Sequence, residues 1–148
     1  MLFRSHGFGQ TVVFSHGDAL VLDDHKYQAF RAQVRTPAWQ QAFLAQPLDT
    51  RLAIAAQMRA ASEASHGAPE TYADADPALA GRWLEQAGAR VLVHGHTHRP
   101  ATHPLPSGMT RWVLSDWDAD VTPAQLQVLR WQGEWQRRDL PFHGHNTR

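Results

Sequence analysis

Val91-Leu92-Val93-His94-Gly95-His96-Thr97-His98-Arg99-Pro100 decides how this 148-residue chain is read. Three aliphatic residues in a row, preceded by Arg90, predict a short strand buried on both faces. Gly95 stops it, because a residue without Cβ lets the backbone reverse without steric conflict. Beyond the turn, His96 and His98 stand two residues apart, and in extended backbone such side chains project to one side. Neutral imidazole is a common metal ligand, and several so close together point to a bound cation. At His94 the residues favour a buried, hydrogen-bonding side chain. At His96 and His98 they favour a metal over turn histidines that merely bond their surroundings.

The same grammar occurs upstream in Thr11-Val12-Val13-Phe14-Ser15-His16-Gly17-Asp18, again an apolar run entering His-Gly. Ligands of open α/β sheets bind beyond the carboxyl ends of strands, so both turns are expected to open onto one crevice. Between them the pattern is helical. Asp24 caps a helix carrying Tyr27, Phe30 and Val34, and Thr36-Pro37 starts a second that ends at Pro47. A third is expected from about Asp49 to Ser62. Its Arg51 and Arg59 share one side, either as solvated arginines or as cations offered to a phosphorylated ligand. A loop follows over 65–75, then a helix from Asp76-Pro77 to a stop at Gly88. After the second His-Gly turn, antiparallel strands are expected at 111–114, 126–131 and 135–138, with a polar tail from Pro141. Helices feeding apolar strands make this an α/β layered domain.

Composition narrows the function classes. Apolar residues make up 43% and charged residues 19%, a globular balance. Fourteen basic residues match fourteen acidic ones, and a general nucleic-acid binder would be basic. Cysteine is absent, which removes disulfides, thiolate-bound zinc and a cysteine nucleophile. No apolar run approaches a membrane span and the first residues lack a signal-peptide layout, so the default expectation is a soluble cytoplasmic protein. Nucleophile elbow, Walker loop and dinucleotide fingerprint are all missing. A mononuclear zinc hydrolase with His-x-His-x-Asp is disfavoured, since Pro100 occupies the carboxylate position.

Ser15-His16-Gly17-Asp18 joined to Gly95-His96-Thr97-His98-Arg99-Pro100 resembles the calcineurin-like metallophosphoesterases. Within them, His16-Gly17-Asp18-Ala19-Leu20, Asp23-Asp24-x-x-Tyr27-Gln28-Ala29-Phe30-Arg31, Phe43-Leu44-Ala45-x-Pro47-Leu48 and Ala55-Ala56-x-Met58-Arg59-Ala60-x-Ser62 are similar to the UDP-2,3-diacylglucosamine diphosphatases of lipid A biosynthesis. The resemblance runs over roughly residues 8 to 130. It implies an incomplete metallophosphoesterase sandwich at 1–140, the C-terminal portion of that domain, with a helical lid inserted at about 24–65 and a tail at 141–148. It also implies hydrolysis of the pyrophosphate of UDP-2,3-diacylglucosamine, giving 2,3-diacylglucosamine 1-phosphate and UMP. The cofactor would be a manganese pair, with His16 and His96 as ligands of one ion and His98 of the other. His96 would be the catalytic residue, and Asp24, Ser62 and His96 would contact substrate. A lipid-linked substrate implies peripheral contact with the inner membrane, and no nucleic-acid partner.

The chain departs from the family in lacking an early Asp-x-His, a metal-bridging Gly-Asp carboxylate and a Gly-Asn-Arg-Asp segment. Asp23-Asp24-His25 spells Asp-x-His but falls in the helical insertion, as a decoy. Ser65-His66-Gly67-Ala68-Pro69 replaces a polar, lysine-containing stretch. The expectation is therefore a truncated chain, inactive alone. Two other readings stand beside it: another phosphodiesterase or nucleotidase of the superfamily, and a non-catalytic metal-binding module. Asp24 and Ser62 also keep ordinary readings, as helix cap and as an exposed serine.

Overall fold

The computed structural model describes residues 2–65, 74–121 and 124–141. Two compact units divide it, one formed by residues 1–20 with 75–148 and the other by 21–74. The expected loop over 65–75 is described only at its ends, and the tail beyond 141 lies outside the described residues.

The first unit is built on a five-stranded mixed sheet in the order β1-β2-β3-β5-β4. Its strands are β1 (Leu2–Ser5), β2 (Val12–Ser15), β3 (Val91–His94), β4 (Thr102–Leu105) and β5 (Met109–Val113). β2 pairs in parallel with β3, Val12 opposite Val91 and Ser15 opposite His94. β3 pairs in parallel with β5, while β1 and β4 run antiparallel on the two edges.

Uninterrupted apolar sequence in β2 and β3 has a direct cause: both faces are covered. Val13 and Leu92 point to one face, where they pack with Leu105 and Met109 against Ala80 and Leu84. Ala80 and Leu84 belong to α4 (Pro77–Ala87), which is capped by the Asp76 side chain and stopped by Gly88 in left-handed conformation. Val12, Val91 and Val93 point to the other face and meet Phe8, Phe14, Trp112, Leu129 and Trp135. Leu129 and Trp135 come from a separate hairpin of β6 (Gln127–Trp131) and β7 (Trp135–Asp139). Arg137 of that hairpin donates to the carbonyls of Ala101, at 3.1 Å, and Val113, at 2.8 Å. Burial draws its pKa below the ordinary value, with Asp139 opposing, but a guanidinium remains a cation there.

The structure corrects the expected all-antiparallel C-terminal strands. β5 lies between β3 and β4 and is parallel to β3, because the chain first runs out to the β4 edge and then returns inward. β1 and β4 are additional to the sequence reading. Both are edge strands with at most one buried residue, so neither carries a two-sided apolar run. Pro104 fits β4 because an edge strand need not donate at every position.

The second unit is helical: α1 (His25–Val34), α2 (Pro37–Leu44) and α3 (Leu48–Ser65). Asp24 caps α1 by accepting from Tyr27 N at 2.9 Å, and Thr36 caps α2 by accepting from Trp39 N at 3.2 Å. Among the described residues, no helix is long and apolar enough to cross a membrane.

Candidate functional site

Both His-Gly turns sit at the carboxyl ends of the adjacent parallel strands β2 and β3. Their backbones are bonded directly, Gly95 N donating to His16 O at 3.1 Å. Within the first turn, Gly17 N donates to Ser15 Oγ at 3.1 Å. Gly17 adopts φ of +101°, and a Cβ there would stand 2.7 Å from His94 Nδ1 and 2.8 Å from Gly95 O. A glycine is therefore required by conformation and by space together.

This apposition sets the rings of His16 and His96 edge to face, with centroids 4.9 Å apart. His16 is exposed and His96 half-buried, so the pair opens to solvent. The second turn is strained: His96 has φ of +69° and His98 of +51°. Left-handed backbone at a residue with a Cβ costs on the order of 1–3 kcal/mol and persists where its surroundings hold it. Thr97 between them is buried, and its Oγ1 has no hydrogen-bond partner among the described residues.

His98 takes a different partner. Its Nδ1 lies 3.3 Å from Asp116 Oδ2, with the side chains 65% and 35% exposed. A side-chain contact this open contributes little to stability. Among the described residues no group of three or more His, Cys, Asp or Glu side chains gathers as a metal-holding cluster. The structure thus unites His16 with His96 and gives His98 to Asp116.

Asp24 and Ser62 belong to the helical unit. The Asp24 carboxylate serves as the α1 cap, as its ordinary reading expects; Ser62 lies in α3, with its side chain outside the described residues. Arg51 and Arg59 fall on the same helix. His94 is fully buried, as expected. Sequence reasoning missed two side chains around the histidines, Asp116 beside His98 and buried Arg111, whose Nη1 stands 3.3 Å from His94 Nε2. An arginine between Met109 and Val113, on a face otherwise apolar, is the only sign the sequence gives of the latter.

The chain is 48% identical over 121 residues to a UDP-2,3-diacylglucosamine hydrolase of Xanthomonas axonopodis pv. citri (strain 306), spanning 74% of this chain and 49% of that one. The chain is a homologue of these hydrolases. A second relative of that name, from Cellvibrio japonicus (strain Ueda107), is 47% identical over 133 residues, 84% of this chain and 55% of its own. A third, from Bordetella pertussis (strain Tohama I / ATCC BAA-589 / NCTC 13251), is 47% identical over 113 residues, 74% of this chain and 44% of its own. The hydrolase homologue spans about half the length of the curated relatives it matches. No family model matches it.

Proposed function

We propose that this chain contributes the His-Gly-Asp and His-Gly-His-Thr-His segments of a metal-dependent hydrolase. The reaction would split the pyrophosphate of UDP-2,3-diacylglucosamine into 2,3-diacylglucosamine 1-phosphate and UMP, a step of lipid A biosynthesis. The observation that carries this reading is the 4.9 Å apposition of the His16 and His96 rings at two neighbouring strand ends. The relatives' name supports the substrate. The mixed α/β sheet covered on both faces supports a metallophosphoesterase sandwich at 1–140, with residues 24–65 as its helical lid.

Manganese is the proposed metal, and the fit is partial. His16 and His96 would hold one ion through ring nitrogen, with His98 assigned to a second. A hydrolytic centre polarises phosphoryl oxygen and activates water. Two adjacent imidazoles are fewer donors than such a centre needs, so no hydrolytic step follows from them alone. What these residues supply is a pair of imidazoles brought together at neighbouring strand ends. His96, half-buried beside His16, would also face the substrate phosphate, with Asp24 and Ser62 contacting substrate. The exposed side chains of Leu44, Leu48 and Leu52 support contact of the helical unit with acyl chains or with the inner-membrane surface.

The test is release of UMP from UDP-2,3-diacylglucosamine with manganese present, set beside bis(p-nitrophenyl) phosphate and AMP. Because the donor set is thin, the 148-residue chain is expected to bind manganese without releasing UMP, with His96→Ala abolishing the binding. Hydrolysis of the simple diester or nucleotide, leaving the acylated substrate intact, contradicts the substrate assignment. Absence of both turnover and manganese binding contradicts the hydrolase reading.

A further inference from the structure

We propose that buried Arg111 and His94 form a positioning pair that fixes the Gly95–His96 peptide, and through it the His96 ring beside His16. Arg111 is 3% exposed and His94 fully buried, which is rare for a cation unless it is held by partners. Arg111 Nη1 stands 3.3 Å from His94 Nε2, and His94 Nδ1 stands 2.8 Å from Gly95 O. A guanidinium only donates and a carbonyl only accepts. The Arg111 contact demands a neutral ring with Nε2 accepting, and the Gly95 contact demands a proton on Nδ1. The two agree, so the chain Arg111→His94→Gly95 carbonyl has one polarity.

Its end point matters. The φ angle of His96 is measured from the Gly95 carbonyl carbon, so holding that carbonyl holds the plane from which the left-handed turn departs. The same glycine's N–H is tied to His16 O at 3.1 Å. Gly17 closes the arrangement from the other side by leaving no room beside the His94 ring. The two peptides that flank Gly95 are thus both held, the Gly95–His96 carbonyl by His94 and the His94–Gly95 N–H by His16. The strained His96 conformation follows from that grip. The pair's bearing on hydrolysis rests on the function proposed above, whereas its effect on the two rings does not.

The experiment is long-range 1H–15N correlation and ring-proton NOE spectroscopy on the whole 148-residue chain without metal or substrate. Wild-type His94 is expected as the Nδ1–H tautomer, with an NOE between the His16 and His96 rings. Arg111→Met is expected to mix the tautomers and remove that NOE, and Arg111→Lys, which retains a donor, to restore both. His94→Asn places an amide nitrogen where Nδ1 stood and is expected to retain the NOE that His94→Leu loses. An Nε2–H tautomer in the wild type overturns the proposal, as does a folded Arg111→Met with its ring NOE intact. Should Arg111→Met fail to fold, the His94 variants decide, and equal NOEs in Asn and Leu overturn it. Failure of the chain to bind manganese would leave these metal-free spectra unchanged, so the two proposals fail separately.

Discussion

Gly17 concentrates the physical argument at the scale of single residues. Two loops from distant parts of the sequence approach so closely there that no side chain fits, and the backbone conformation is one that L-residues avoid. Gly17→Ala is expected to destabilise the fold by about 1–3 kcal/mol, through left-handed strain and displacement of the His94 ring. Urea denaturation followed by tryptophan fluorescence measures it; an unchanged midpoint would show that the loops relax freely. The meeting of His16 with His96 was legible in the sequence, because each histidine follows an apolar run that had to be a buried strand. The partner of His98 was not. Asp116 lies in an irregular segment after β5, where neither periodicity nor turn chemistry predicts a direction.

Helix α1 gives the sharpest test among the elements, since one side chain carries two proposed tasks. As a cap, Asp24 accepts from Tyr27 N; as a substrate contact, it would need its charge. Asn caps as well as Asp, so Asp24→Asn is expected to preserve stability while weakening UDP-2,3-diacylglucosamine binding, whereas Asp24→Ala costs about 1 kcal/mol in addition. Equal binding by Asp24→Asn and wild type, measured by calorimetry, would leave the carboxylate as a cap only. In α3, Leu48 and Leu52 are one turn apart and are 60% and 59% exposed among the described residues. Leu48→Ser with Leu52→Ser is expected to lower co-sedimentation with phosphatidylethanolamine–phosphatidylglycerol vesicles at least fivefold, leaving thermal stability unchanged. Retained sedimentation would contradict membrane contact by this face. The caps and helix spans were legible because Asp, Thr, Pro and Gly act locally. Edge strands β1 and β4 were not, since one-sided pairing asks little of their side chains.

Across the whole molecule, the sheet is covered by a helix on one face and by a hairpin on the other, and neither cover is optional for the apolar β2 and β3. Leu84→Ala, on the buried face of α4, is expected to cost about 2–5 kcal/mol. Arg137→Met, which removes the guanidinium from the carbonyls of Val113 and of Ala101, the latter still accepting from Val113 N, is expected to cost about 1–3 kcal/mol. Chemical denaturation separates the two, and a larger loss at Arg137 would mean that the hairpin, not the helix, dominates the core. The α/β class was readable from the order of apolar runs and helical patterns. The parallel placement of β5 was not, because it depends on β4 reaching the edge first, a matter of long-range pairing.

The account turns on His16 and His96 acting as one ligand pair. Substoichiometric MnCl2 added to the 15N-labelled chain should broaden the ring resonances of both histidines at the same low concentration, and His16→Ala should abolish the broadening at His96. Broadening of one ring at concentrations that leave the other sharp, or of neither, would contradict a shared site.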